Sequence, residues 1–214
     1  MDSAEHGQVL DCRIVDVFAE SPLSGNQLAV VRGAGHLDTA TMQAIALETN
    51  FSETTFVVEE HSDEARVRIF TPDRELPFAG HPTLGTAWVL GRDRDYYTLD
   101  LPIGPVRVIF EAGGVAWMQP PPVEPGDTLS PQSAAALLGV ARADIDTRYP
   151  CRFATIGPWF VLIGVDGLDA LRRVAVRTDV YDELAGEGVL GVFVFADEPY
   201  SDEDRKSTRL NSSH

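Results

Sequence analysis

A histidine next to a helix start marks the segment Phe78-Ala-Gly-His-Pro-Thr-Leu-Gly85. The first amides of a helix have no carbonyl partner within it and lie at the positive end of its dipole, so they bind a carboxylate or phosphate. Pro82 suits the first helical position, because an N–H there would have no helical partner. The turn predicts an anion-binding site at Gly80 and His81. The alternative is that His81 hydrogen-bonds only backbone and Gly80 is merely a turn glycine.

A glutamate occupies a second position that could do chemistry, in Asn50-Phe-Ser-Glu-Thr-Thr-Phe56. Glu53 lies where a helical pattern ends and a strand pattern begins, and catalytic groups often project from such ends. Phe51 and Phe56 would desolvate its carboxyl group and prepare it to take and give a proton near neutral pH. The alternative is a solvated glutamate beside a helix cap, the common state of this residue type.

The elements around these residues favour an α+β fold. Strand patterns cover Cys12–Phe18, Gln27–Arg32, Thr54–Glu59, Arg66–Phe70, Tyr97–Leu101, Val106–Glu111, Val115–Gln119, Phe153–Ile156, Trp159–Gly164 and Val189–Phe195. Helical patterns cover Asp38–Thr49, Pro82–Leu90, Ser130–Leu138, Asp169–Leu171 and Thr178–Leu184. The strands come in runs, which indicates antiparallel or mixed sheets. Because no Gly-x-Gly-x-x-Gly opens a helix, a dinucleotide-binding fold has no support.

The chain is expected to form two domains followed by a tail. The proline-rich break Pro120–Pro125 predicts a linker between a first domain at 1–119 and a second at 126–198. Residues 199–214 are polar and predict disorder. Their last ten residues resemble translated adapter or vector DNA, so we expect the natural protein to continue after about Glu198.

The composition argues against several classes of partner. The net charge of −16 opposes nucleic acid and anionic membrane surfaces, because both would repel the chain. No apolar run is long enough to span a bilayer, and the N-terminus lacks a signal-peptide pattern, so the expected location is the cytoplasm. The two cysteines, Cys12 and Cys151, have no nearby histidine spacing that would indicate a metal site.

Four segments together resemble the PhzF-like phenazine-biosynthesis family, within the diaminopimelate-epimerase-like fold. They are Val15–Val31, Asn50–Phe56, Arg68–Pro72 and Glu75–Gly85, in an order and spacing that are highly specific. The resemblance is strong to about Leu90 and loose beyond the proline break. It implies two similar lobes, each a barrel-like mixed sheet around a central helix, with the active site in the cleft between them.

The resemblance also implies the chemistry, which is proton transfer between carbons of a small carboxylate substrate without a cofactor or metal. Glu53 matches the general acid/base, and Ser52 matches the adjacent substrate-contacting serine. Gly80 and His81 match contacts at the substrate carboxylate and in proton transfer. A homodimer is the implied assembly. The other substrate-binding residues expected from the matching segments are Asn26, Pro82 and Thr83.

Two departures from the family pattern leave alternatives open. Ala79 stands where related racemases and epimerases carry a cysteine, which argues against two-thiol racemisation. The Asp-Pro-x-Thr-Gly-Ser-Ala-His type segment of the second lobe does not occur in this chain. We therefore expect an incomplete second lobe, impaired activity, low stability and aggregation. The competing hypotheses are an inactive small-molecule-binding protein of the same fold and an amino-acid racemase or epimerase.

Overall fold

The chain folds into two compact units that meet in sequence between Pro121 and Pro122. A computed structural model describes residues 9–184 and 188–198. Each unit has a sheet and helices of its own. No helix within these residues is long and apolar enough to cross a membrane.

The first unit is built on one mixed sheet. Its strands are β1 (Asp11–Val17), β2 (Asn26–Arg32), β3 (Glu53–Glu60), β4 (Glu64–Phe70), β5 (Glu75–Leu76), β6 (Tyr96–Leu101), β7 (Gly104–Glu111) and β8 (Val115–Met118). The strand order is β1-β2-β3-β4-β6-β7-β8, and β5 pairs with β4. The pairs β2–β3 and β4–β6 are parallel. The sheet is therefore mixed, as the grouping of the strands predicted.

The helix α2 (Gly80–Gly91) is the centre of the first unit. It packs against β1, β2, β3, β6, β7 and β8, so the sheet curls around it. A Cβ atom added at Gly85 would lie 2.7 Å from both Leu28 Cδ2 and Val17 Cγ2. Glycine at this position therefore lets the helix approach β1 and β2 closely.

The helix α1 (Thr39–Thr49) covers the opposite face of the sheet. The side chain of Asp38 caps it by accepting a hydrogen bond from the Thr41 N–H at 2.7 Å, as the cap pattern predicted. Phe56 and Phe70 pack edge to face beneath α1, with ring centroids 5.4 Å apart. This second layer buries the face of β3 that points away from α2.

The second unit has a four-stranded sheet of β9 (Glu124–Thr128), β10 (Arg152–Thr155), β11 (Trp159–Val165) and β12 (Val189–Ala196), in the order β12-β11-β10-β9. Its helices are α3 (Pro131–Leu138), α4 (Gly167–Arg173) and α5 (Thr178–Leu184). Ser130 caps α3 by accepting from the Ser133 N–H at 3.0 Å. Leu137, Leu138 and Ile163 lie in the core between helices and sheet.

The α+β class is confirmed, whereas two details of the expected elements are wrong. Strand β9 includes Pro125, which was assigned to the linker. It forms because β9 is an edge strand, where a residue without an N–H costs no ladder bond. Helix α2 begins at Gly80, with Ala79 as its N-cap, so Pro82 is the third helical residue rather than the first. An N–H at the third position also lacks a partner within the helix, so proline is tolerated there.

The predicted disorder of residues 199–214 concerns a segment outside the described residues and stays a prediction.

Candidate active site

The first residues of two strands and the first turn of the central helix bring three polar side chains together. Asn26 opens β2, Glu53 opens β3, and His81 is the second residue of α2. Strands β2 and β3 are parallel, with Leu28 opposite Glu53. Because side chains alternate along a strand, Asn26 and Glu53 lie on the same face at the same end of the sheet. That face packs against α2.

His81 links the other two side chains. Asn26 Nδ2 lies 3.2 Å from His81 Nδ1. His81 Nε2 lies 3.4 Å from Glu53 Oε2, and the two side chains are 9% and 16% exposed. An amide NH₂ group can only donate, so this contact favours the neutral tautomer in which Nδ1 accepts and Nε2 carries the proton. Nε2 is thus the ring nitrogen nearer the Glu53 carboxylate, and the three groups form a row with His81 in the middle.

The backbone at position 80 does not require a glycine. Its φ is outside the left-handed region, and an added Cβ would lie 3.5 Å from Met118 Cε, an ordinary van der Waals contact. Met118 ends β8 and is half-buried, and no sequence signal marked it as part of this region. We therefore expect the absence of a side chain at Gly80 to let a ligand approach the first turn of α2, beside the methyl group of Met118.

The other predicted substrate-binding residues have different surroundings. Thr83 is fully buried, and its hydroxyl donates to the Ala79 carbonyl at 2.7 Å. Pro82 is also buried. Both therefore lie beneath the turn, where they shape it. Ser52 is exposed and immediately precedes Glu53.

The expectation that Phe56 desolvates Glu53 is wrong. Phe56 is three residues after Glu53 on β3, so its side chain points to the opposite face of the strand. It is buried in the cluster that contains Met42 and Ala46 of α1. The low exposure of Glu53 comes from its position between the sheet and the start of α2. Strand alternation, applied to the sequence, would have excluded Phe56.

The two thiols differ in exposure and neither belongs to the turn. Cys12 lies on β1 and is exposed, while Cys151 is buried in the second unit. Desolvation, which is only partial at Cys12, raises the pKa of both thiols, and the neighbouring Asp11 carboxylate adds to the rise at Cys12. Within the described residues, no three His, Cys, Asp or Glu side chains are grouped as a metal site.

Comparison with known proteins gives a consistent set of relatives. An isomerase of uncharacterised role from Mesorhizobium japonicum is 38% identical over 80% of this chain and 61% of its own length. The trans-2,3-dihydro-3-hydroxyanthranilate isomerase of Pseudomonas fluorescens is 39% identical over 74% of this chain and 58% of its own length. The chain thus spans about three fifths of the curated relatives that it matches.

The solved structures agree with the sequence relatives. A structure from Pseudomonas aeruginosa, described as that of a predicted epimerase, is 33% identical. It covers 86% of this chain and 68% of its own, with a TM-score of 0.72. Residues 15–211 match the model of the PhzC-PhzF family, described as phenazine biosynthesis-like protein. The resemblance in the four sequence segments is confirmed, and this chain belongs to the PhzC-PhzF family.

Proposed function

We propose that this chain carries the proton-transfer half of an isomerase that moves a proton between carbons of a small carboxylate, without a cofactor. The observation that carries the proposal is the Asn26–His81–Glu53 arrangement at the open first turn of α2. A carboxylate base there lies 3.4 Å from an imidazole nitrogen, and the helix start offers an anion site within the same turn. Relatives named as isomerases support the same reaction class.

In the proposed reaction, the substrate carboxylate binds at the N-terminus of α2, next to Gly80. The Glu53 carboxylate removes a proton from a carbon, and the electron pair of that C–H bond moves into the neighbouring π-system. The protonated Glu53 then returns the proton to a different carbon, so no redox change occurs. The Nε2–H of His81 stabilises the carboxylate before the first transfer and after the second. General acid/base catalysis of this kind contributes about 10²- to 10⁴-fold in rate.

The first substrate to test is trans-2,3-dihydro-3-hydroxyanthranilate, because relatives are named for isomerising it. We would incubate the 214-residue chain with this acid in D₂O and follow deuterium incorporation by NMR. Glu53→Gln keeps the shape of the side chain and removes the base. We expect it to lower the exchange rate by about 10²- to 10⁴-fold and to leave Kd nearly unchanged.

A matched control lies on the same strand. Glu59 is exposed near the far end of β3 and pairs with Arg66, so Glu59→Gln removes the same charge from the same strand without touching the site. It should exchange as fast as the parent. Parental exchange in Glu53→Gln would refute the mechanism, and binding without exchange in the parent would favour the inactive binding protein.

The racemase alternative receives no support from the turn. Two-thiol racemisation needs a cysteine at the position of Ala79, and a methyl group cannot take a proton. Ala79 instead serves as the N-cap of α2, with its carbonyl accepting from the N–H and hydroxyl of Thr83 at 3.2 and 2.7 Å. Glu53 remains the residue proposed as the base.

A further inference from the structure

A buried chain of hydroxyl groups connects the same three elements that carry the proposed site. Thr55 and Thr86 are both fully buried. Their hydroxyl oxygens are 2.8 Å apart, and Thr55 Oγ1 also donates to the Ala29 carbonyl at 3.4 Å. Each hydroxyl can both donate and accept, so either can be the donor across the 2.8 Å contact. The hydrogen-bonded chain of groups therefore joins Thr86 on α2, Thr55 on β3 and the carbonyl of Ala29 on β2.

These hydroxyls lie further along the same elements than the polar side chains of the site. Thr55 follows Glu53 by two residues, so both side chains are on the face of β3 that packs against α2. Ala29 follows Asn26 by three residues on β2, and Thr86 follows His81 by five on α2. Each element that supplies a site residue thus also supplies one hydroxyl or carbonyl group of this hydrogen-bonded chain.

The chemistry of these two threonine hydroxyls points to a geometric role. Neither threonine is charged or reachable by solvent, so neither reacts. Replacing both partners of a buried hydrogen bond by apolar groups of the same shape can be nearly neutral for stability, so stability alone does not explain the hydroxyls. A hydrogen bond, unlike an apolar contact, specifies distance and direction. It therefore resists sliding of α2 along β3.

We propose that Thr55 and Thr86 are positioning residues that hold His81 and Glu53 in register for proton transfer. The inference rests on the proposed function of Glu53. Displacement of a reacting group by about 1 Å can cost about 10²-fold in rate. The 3.4 Å separation of His81 Nε2 from Glu53 Oε2 depends on how α2 lies against β3, which is the contact that Thr55 and Thr86 join.

The opposite face of β3 offers a matched control. Thr49 and Thr54 also place their hydroxyls 2.8 Å apart, and Thr49 Oγ1 lies 3.0 Å from the Ala46 carbonyl that accepts from it. Thr54 is fully buried. This pair has the same chemistry, but it joins β3 to α1, which supplies no residue of the site.

The experiment compares two double variants of the full chain, Thr55→Val/Thr86→Val and Thr49→Val/Thr54→Val. With trans-2,3-dihydro-3-hydroxyanthranilate, we expect the first to lower kcat about tenfold or more at nearly unchanged KM, because a misplaced base weakens the transition state and not substrate binding. The second should keep the parental kcat. As single variants, Thr86→Ser keeps the hydroxyl and should retain most of the parental rate, whereas Thr86→Val removes the hydroxyl and should not.

A spectroscopic readout covers the case in which this acid is not turned over. The ¹⁵N shifts of His81 report which ring nitrogen carries the proton. We expect a single Nε2–H form in the parent and in the α1-side variant, and a mixture of tautomers in Thr55→Val/Thr86→Val. Equal effects of the two double variants on kcat and on the tautomer, or an equal loss of rate in Thr86→Ser and Thr86→Val, would overturn the inference.

Glu53→Gln in the same assay separates the two hypotheses. If Glu53→Gln is inactive while both double variants behave alike, the positioning role fails and the proposed function stands. If Glu53→Gln keeps the parental rate, the proposed function fails, and the positioning role fails with it.

Discussion

His81 is held between a donor and an acceptor, and this polarity is the main chemical feature of the site. Asn26 lies at the Nδ1 side of the ring and Glu53 at the Nε2 side, so a donating amide favours the tautomer with its proton on Nε2. An aspartate in place of Asn26 would reverse the first interaction, because a carboxylate only accepts. We therefore expect this single amide to determine which nitrogen of the imidazole can serve the proposed base.

Asn26→Asp tests this polarity directly. The new carboxylate would accept a bond from Nδ1–H and stabilise the charged imidazolium, so a larger fraction of His81 should be protonated at neutral pH. We expect a lower kcat and a displaced pH profile. The measurements are the ¹⁵N shifts of His81 and the rate of deuterium exchange between pH 5 and 8.

Gln27→Glu is the control for the added charge. Gln27 follows Asn26 on β2 and is exposed on the opposite face of the strand. Gln27→Glu introduces a carboxylate that does not reach Nδ1 of His81, so the ¹⁵N chemical shifts of His81 should stay as in the parent. Parental shifts in Asn26→Asp as well would show that the amide does not set the tautomer.

Helix α2 contains glycines that serve different purposes. Gly85 allows close contact with β1 and β2, as described above. Gly91 allows close contact with β6, since an added Cβ would lie 2.5 Å from Tyr97 Cδ2. Gly80 has neither constraint. The helix thus needs small residues for packing along its length, whereas its first residue is small without a packing reason.

Gly80→Ala separates ligand binding from folding. The added methyl group fits beside Met118, so we expect the melting temperature to stay close to that of the parent. The same methyl group would stand where a carboxylate approaches the helix amides. Loss of one hydrogen bond to a charged group weakens binding by about tenfold or more. Isothermal titration with trans-2,3-dihydro-3-hydroxyanthranilate measures the change in Kd.

Gly91→Ala is the packing counterpart at the other end of the helix. The Tyr97 ring cannot easily move, because its hydroxyl shares its one proton between the carbonyls of His61 and Glu64, at 2.9 and 3.0 Å. Overpacking of this kind costs about 1–3 kcal/mol in the free energy of unfolding. Urea denaturation should show the loss. Destabilisation in Gly80→Ala instead, or unchanged Kd in a well-folded Gly80→Ala, would contradict the assignment.

The chain as a whole forms two compact units. In the second unit, a buried aspartate should make the stability of the fold depend on pH. Asp146 is buried and accepts from the Arg148 guanidinium at 2.6 and 3.0 Å. The hydrogen bond from Arg148 lowers the pKa of Asp146 below its usual value. A carboxylate with a lowered folded-state pKa stabilises the fold above its unfolded pKa, near 3.9, and loses that effect as the pH falls through its folded pKa.

Asp146→Asn therefore should destabilise the second unit at pH 6, and the difference from the parent should shrink as the pH falls below about 4. Thermal melts from pH 3 to 7 test this. Asp179→Asn is the control, because Asp179 pairs with Arg177 on the surface, where solvent screens the pair. Its effect should be small at every pH. If the difference in melting temperature between Asp146→Asn and the parent grew as the pH fell, the lowered pKa of Asp146 would be contradicted.

Local sequence patterns were sufficient to predict most elements, and they also named the candidate residues. Strand alternation, the Asp38 and Ser130 caps and the Gly-His-Pro turn predicted the α+β class and singled out Glu53, Gly80 and His81. Each of these signals depends on residues a few positions apart, whose short-range interactions do not change with the rest of the fold. Strand β9 was missed because its Pro125 indicates a break, unless the strand is known to lie at an edge.

Tertiary structure alone decided which side chains meet. Asn26 and His81 are 55 positions apart, and Thr55 and Thr86 are 31 apart. Their contacts depend on the register of β2 with β3 and on how closely α2 approaches the sheet, which no local pattern encodes. The sequence by itself therefore determined the kinds of element and named the candidate residues. Packing around α2 determined that Asn26 lies against His81 and that Phe56 faces away from Glu53.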